Sequence, residues 1–180
     1  MRTHASSLRH DPVSMSRARR AFAAHPVAAF LATGFGAGLS PVAPGTAGSL
    51  VGLAAAWLLA SHVAILGSAV GLLMSGLAVG LLGVAVSGPV CRALEAEDPG
   101  CVVIDEIAGQ LSACAGVLLV PGAPLWAWIA AFLLFRAFDV FKPLGIARLQ
   151  RLPGGWGVVA DDIAGGLYAA AVLALAGRWV

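Results

Sequence analysis

Apolar residues run through this chain in long blocks, and the polar ones gather in the gaps between them. From Ala47 to Gly88 no residue carries a full charge at pH 7, and the only titratable one is His62. That block has room for two helices, about 47–60 and 63–86, with Ser61–His62 as the turn. Residues 102–120, "VVIDEIAGQLSACAGVLLV", predict a third helix, although Asp105 and Glu106 sit side by side near its start. "PGAP" at 121–124 is a turn signal. "LWAWIAAFLLFRAFDVF" at 125–141 predicts a fourth helix and residues 158–177 a fifth. A membrane helix needs about 20 apolar residues, so the first of these is short. Before them, residues 21–39 hold apolar residues broken by His25–Pro26 and three glycines, which predicts an interfacial or partly inserted helix.

Composition turns these blocks into a membrane protein. Of 180 residues, 59% are hydrophobic and 11% charged, and the mean hydropathy is +0.91. Soluble domains carry about 25% charged residues, so this chain lacks the polar groups to coat a water-facing surface. The expected fold is all-α: an integral membrane bundle of about four to five membrane-embedded helices plus the N-terminal interfacial helix. One domain, 21–180, follows a basic tail, 1–20, that reads as flexible. The basic start could pass for a signal peptide, but no cleavage site is clear. Cys91, Cys101 and Cys114 show no metal spacing and read as small packing residues.

The basic residues give the layout a direction. With the N-terminus inside, the helices run out, in, out, in, out. Arg92, Arg136, Lys142, Arg148 and Arg151 then lie inside with tail residues Arg2, Arg9, Arg17, Arg19 and Arg20, and only Arg178 lies outside. The tail would rest on anionic lipid headgroups, and nothing in the charge pattern points to nucleic acid.

This direction brings chemistry together at the inner surface. Asp105 and Glu106 open one helix, Arg136, Asp139 and Lys142 close another, Asp161 and Asp162 stand early in the last, and "PGTAGS" opens the first span. Hard oxygen ligands suit Mg²⁺, which takes phosphate as a partner. Without a cation, so many carboxylates would repel one another. Arg136, Asp139 and Lys142, at i, i+3 and i+6, share a helix face and fit a metal ligand flanked by phosphate clamps. The glycines of "PGTAGS" would let backbone N–H groups approach a phosphate.

Plainer readings exist for most of these. Asp98, Asp161 and Asp162 sit where helices start and could cap them. Arg136–Asp139 could be a simple ion pair, and "GTAGS" small-residue packing. His25 and His62 have no partner at metal spacing, and Trp57, Trp126 and Trp128 read as lipid-facing anchors. The Asp105–Glu106 pair resists such a reading best, since intramembrane acids are functional candidates by default.

Four blocks, "PGTAGSL" (44–50), "VVIDEIAGQ" (102–110), "FRAFDVFKPLGI" (135–146) and "GGWGVVADDIAGG" (154–166), resemble the signature blocks of the phosphatidylglycerophosphatase A family, in the family's order. The resemblance runs from about Gly34 to the C-terminus. It implies an all-helical, Mg²⁺-dependent enzyme of the bacterial inner membrane, multi-pass with its site facing the cytoplasm. Such an enzyme removes the terminal phosphate of phosphatidylglycerophosphate to give phosphatidylglycerol. By position, Asp105, Glu106, Asp139, Asp161 and Asp162 match the family's acidic motif positions, as catalytic and metal-binding residues. Arg136 and Lys142 match its basic ones, and Thr46, Gly48 and Ser49 its Gly-rich turn, as phosphate-binding residues. "PLGI" at 143–146 departs where many relatives have a second proline, which touches loop geometry. The tail, 1–20, lies outside the resemblance.

The expected chemistry is attack on phosphorus by metal-activated water, with Arg136 and Lys142 on the equatorial oxygens. The D-x-D-x-[TV] block of phosphatases that work through an aspartyl phosphate is absent. Two other classes stay open. A CDP-alcohol-type headgroup transferase would need a D-G-x-x-A-R block that the chain lacks. A transporter with an acidic ion site would need polar groups through the membrane depth, whereas these acids gather at one surface.

Overall fold

The computed structural model describes residue 19 and residues 22–96 and 98–179, and all regular structure in them is helical. Six α-helices are used below: α1 Pro26–Ala32, α2 Pro44–His62, α3 Ala69–Leu94, α4 Ile104–Cys114, α5 Leu125–Phe141 and α6 Gly155–Ala176. Short 3₁₀ turns cover Ala37–Leu39, Val117–Leu119 and Ile146–Arg151. Prolines sit in the first turns of α1 and α2, where a missing N–H costs nothing. The Ser68 hydroxyl caps α3 by accepting from the Gly71 N–H at 2.9 Å. Glu95 and Lys142, both left-handed, end α3 and α5.

Helix α4 is the hub. It packs against α2, α3, α5 and α6, and ten of its eleven residues are buried, all but Glu106. Close approach is possible because small residues face one another. A Cβ on Gly166 would strike the Gly109 carbonyl, and one on Gly109 would lie 2.6 Å from the Asp162 carbonyl oxygen. Around this hub α2, α3, α5 and α6 leave large apolar side chains exposed, among them Trp57, Leu81, Ile129, Leu133 and Leu175. That is the surface expected where lipid is the solvent.

Two expectations change here. Among the described residues three helices, α2, α3 and α6, are long and apolar enough to cross a membrane, fewer than the four to five expected. The expected third span, 102–120, is α4 followed by a 3₁₀ turn. Eleven residues extend only about 16 Å, half the ~30 Å hydrocarbon core. Neighbouring helices surround it instead, and all of its residues but Glu106 are buried. It ends where Gly116 meets the backbone of Ala170 on α6. Helix α5, at 17 residues, also falls short of spanning length.

The second change is at the N-terminus. The single helix expected over 21–39 breaks at His25, restarts at Pro26, and ends at Gly34 and Gly36, both at positive φ. Helix α1 packs on α3, and the Ala32 carbonyl accepts from the Val103 N–H at 2.8 Å. The expected basic tail, 1–20, lies outside the described residues except for Arg19, which is exposed.

The alternating direction survives the loss of a span. Gly48 meets Val103 and Gly52 meets Ile107 and Gln110, so α2 runs parallel to α4. Gly83 meets Ile104 and Gly76 meets Ala108, so α3 runs antiparallel. The starts of α2, α4 and α6 and the ends of α3 and α5 therefore share one end of the bundle.

Candidate active site

That end holds the polar residues. Asp105 and Glu106 occupy the first turn of α4. Asp162 stands two turns into α6 and is buried. One carboxylate oxygen from each of these three lies within 4.8 Å of the others. Asp105 Oδ1 and Glu106 Oε2 are buried with no hydrogen-bond partner. No cation from the chain is paired with any of the three among the described residues.

Beside them stands a differently balanced group. Arg136 and Asp139 lie one turn apart on α5, and Arg136 Nη1 donates to Asp139 Oδ2 at 2.6 Å. The same nitrogen lies 3.4 Å from the Ser49 hydroxyl, which it reaches as a donor. Ser49 in turn donates to the Gly45 carbonyl at 2.9 Å. Lys142 ends α5 in a left-handed conformation, φ +45°, a sparsely populated region for a non-glycine residue. From there Nζ pairs with Asp161 Oδ2 on α6 and lies 3.7 Å from Asp139 Oδ1. Burial pulls the Lys142 pKa down, but the Asp161 carboxylate, with Asp162 and Asp139, outweighs it and holds the group above the usual lysine range. Lys142 is thus a fixed cation.

All five acids, both bases and Ser49 converge as the sequence motifs imply, and the geometry sorts the acids. Asp105, Glu106 and Asp162 form one group. Asp139 and Asp161 hold Arg136 and Lys142. Asp161 Oδ1 is also buried and unpartnered. The capping readings fall away: Asp161 and Asp162 are interior to α6, and Asp98 lies five residues before Val103, the cap of α4.

The Gly-rich turn divides by helix face. Gly48 packs against Val103, where a Cβ would lie 2.7 Å from the valine Cβ. Gly45 faces the site instead. A Cβ there would strike Glu106 Oε1 and stand 3.3 Å from Arg136 Nη1, so the missing side chain lets the acid and the base both lie close against the backbone of α2. The sequence reading did not single out Gly45. Its i, i+4 relation to Ser49 would have placed both on one face. Thr46 is half-buried one turn before Leu50.

The donor set fits a hard divalent cation. It is all oxygen, three carboxylates converge, and two of their buried oxygens have nothing else to bind. Such a group sits beside two fixed cations on the same end of the bundle, an arrangement suited to an anionic ligand carried by a metal.

Comparison with known proteins agrees with this chemistry. The family described as phosphatidylglycerophosphatase A matches residues 30–177. A Bacteroides thetaiotaomicron protein named putative phosphatidylinositol-3-phosphatase is 38% identical, over 83% of this chain and 92% of its own. The phosphatidylglycerophosphatase A of Escherichia coli K12 is 33% identical, over 94% and 92%. That of Haemophilus influenzae is 36% identical, over 83% and 88%. No solved structure matches. With the family matched across nearly all of the helical bundle, this chain belongs to the phosphatidylglycerophosphatase A family of enzymes.

Proposed function

We propose that this chain hydrolyses the terminal phosphate of phosphatidylglycerophosphate to give phosphatidylglycerol, with Mg²⁺ as cofactor. The site would face the cytoplasm from a bacterial inner membrane. The observation that carries the reading is the unpaired trio Asp105, Glu106 and Asp162 set beside Arg136 and Lys142. The names of two relatives supply the substrate, and the basic residues near the motif ends supply the sidedness.

In this reading Asp105, Glu106 and Asp162 hold the cation. When bound, it would offset their mutual repulsion, draw electron density from the phosphate oxygens and make water a better nucleophile. The remaining work falls to the chain. Arg136 and Lys142 bind phosphate oxygens and stabilise the charge that spreads over them as the P–O ester bond breaks. Each has hydrogens to spare after its contact with Asp139 or Asp161, since a guanidinium carries five donors and an ammonium three. Asp139 and Asp161 keep both cations in place, and Ser49 fixes the Arg136 head from α2. Gly45, without a side chain, lets Glu106 and the Arg136 head lie together against α2. The apolar bundle beneath α4 excludes water from the far side, which strengthens these contacts.

A second reading keeps the reaction and changes the headgroup, because one relative is named for a phosphoinositide. Purified protein offered phosphatidylglycerophosphate and phosphatidylinositol 3-phosphate side by side, with and without Mg²⁺, separates the two. Phosphate release from the first, abolished by chelation, is the expected result. Preference for the second would move the assignment to the inositol lipid. Release from neither, or release indifferent to Mg²⁺, would refute the proposal.

A further inference from the structure

The segment that joins α5 to α6 carries charge of one sign. From Val140 to Ala160 the chain has three basic residues, Lys142, Arg148 and Arg151, and no acid. Lys142 pairs with Asp161 across the base of the segment. Arg148 and Arg151 are exposed, and neither is paired with an acid among the described residues. In this they differ from Arg136 and Lys142, whose heads are held by Asp139 and Asp161.

The local fold puts the two arginines on one edge. Residues Ile146–Arg151 form a 3₁₀ turn, in which side chains three apart eclipse one another and stand about 6 Å apart along the axis. Ile146 and Leu149 share the inner edge: Ile146 is buried, Leu149 is half-buried, and the turn packs on α6. Arg148 and Arg151 share another edge, open to the outside. The turn is also held from both ends. The Arg148 N–H donates to the Gly145 carbonyl at 3.0 Å. A Cβ on Gly157, in the first turn of α6, would lie 2.8 Å from the Gln150 carbonyl oxygen. Around the arginines, Phe141, Leu144, Leu152 and Trp156 are exposed. At the end of a membrane bundle such side chains meet the boundary between acyl chains and headgroups, where tryptophan is enriched and basic residues reach the phosphates.

We propose that the α5–α6 segment is a binding surface for anionic phospholipid, with Arg148 and Arg151 on the headgroup phosphate and Leu144, Leu152 and Trp156 among the uppermost methylenes. Charge complementarity selects this partner. Two guanidinium groups on one edge, with no acid within the segment, present forked donors to phosphate oxygens. A zwitterionic headgroup brings its own cation to that phosphate, so the preference is for lipids of net negative charge. The exposed apolar side chains beside the arginines favour a lipid over a water-borne phosphate. This lipid is distinct from the substrate, whose phosphate would lie on Arg136 and Lys142, and the proposal does not depend on the phosphatase reading. Because the Lys142–Asp161 pair closes the base of the segment, a lipid held there keeps the site end of the bundle at headgroup depth.

The test places the full chain in phosphatidylcholine vesicles that hold a minor fraction of spin-labelled lipid, either phosphatidylglycerol or phosphatidylcholine, with the label near the headgroup end of an acyl chain. With Cys91, Cys101 and Cys114 replaced, a fluorophore on a cysteine at Ala147, exposed beside Arg148, reports which lipid is near. Phosphatidylglycerol should quench it more than phosphatidylcholine at the same fraction. Arg148→Gln with Arg151→Gln should lower the relative affinity drawn from that quenching about tenfold. Arg148→Lys with Arg151→Lys should keep most of it, because both charges stay. A fluorophore at Ser61, exposed at the other end of α2, should show no response to the glutamine pair. Equal quenching by the two lipids at Ala147, or a preference that survives the glutamine pair, would overturn the proposal and leave the arginines to water or to an acidic protein. If the glutamine pair does not fold, wild-type protein labelled by phosphatidylglycerol bearing a diazirine on its headgroup decides. Adducts on 144–156 support the surface, and adducts confined to other segments refute it.

Discussion

Asp139 and Asp161 each pair with a cation, while Asp105, Glu106 and Asp162 bring carboxylate oxygens within 4.8 Å of one another. The two groups lie at the same end of one bundle and use the same functional group. In the first, each negative charge is balanced inside the chain, by Arg136 or Lys142. In the second, three carboxylates gather with no ion-pair partner among the described residues, and buried oxygens on two of them, as on Asp161, have no hydrogen-bond partner. Such an arrangement is relieved either by protonation of some of the acids or by a hard cation held among their oxygens, and three converging carboxylates suit the cation. The balanced group needs no cation to fold, and it holds the two positive heads in place for an anion.

The contrast predicts opposite behaviour for substitutions of similar size. The largest effect is expected for Asp105→Asn and Asp162→Asn, which keep shape and remove one charge. Each should lower phosphate release at least about a hundredfold and raise the Mg²⁺ concentration needed for what remains, as read from a Mg²⁺ titration of initial rates. Next comes Lys142→Ala. It should cost about a hundredfold in turnover and also destabilise the protein by about 3 kcal/mol, because the Asp161 carboxylate is left buried without its partner. Denaturation in detergent measures the second part. Adding Asp161→Asn to Lys142→Ala should return most of that stability and none of the activity. Full recovery of activity would show that Lys142 serves only the pair.

A smaller effect is expected from metal alone. Mg²⁺ at a hundred times its Kd should stabilise wild type by ~2.7 kcal/mol, read as a rise in Tm. The shift should vanish in Asp162→Asn and persist in Lys142→Ala. A shift of equal size in both variants would erase the distinction between the two groups. The smallest effect is expected for Asp98→Asn. Asp98 is exposed and does not cap α4, so stability should change by no more than about 0.5 kcal/mol.

Sidedness is a separate question with a direct answer. In a background with Cys91, Cys101 and Cys114 replaced, a cysteine at Ala147, exposed near the site end, should resist an impermeant thiol reagent added outside cells. One at Ser61, exposed at the other end of α2, should react. Labelling at Ala147 alone would turn the site to the outer face.

The sequence showed the site more fully than it showed the bundle. Arg136, Asp139 and Lys142 follow helical spacing, and the direction of each apolar block places their neighbours at one end, so convergence was readable from local pattern. The fate of residues 102–120 was not. A window of apolar residues looks the same whether lipid or protein surrounds it. What cuts α4 to eleven residues and buries it is contact with other helices, Gly116 against Ala170 and Gly109 against Gly166, which no local window contains. The sorting of the acids was hidden for the same reason. Lys142 and Asp161 are 19 residues apart, and only the packing of α5 on α6 decides that Asp161 is paired and its neighbour Asp162 is not. Within "PGTAGS", helical phase alone separates Gly45, which lies against Glu106 and Arg136, from Gly48, which packs on Val103.

The central claim is that Asp105, Glu106 and Asp162 form a cation site. It is tested most directly by melting wild type and Asp105→Asn in detergent, each stripped of metal and each with saturating Mg²⁺. Without metal the variant should melt at the same temperature as wild type or higher, because one repelling charge has gone. With Mg²⁺ wild type should gain stability and the variant should not. A metal-free variant that melts clearly below wild type, yet gains as much from Mg²⁺, would show that Asp105 is a structural partner and that the cation is held elsewhere.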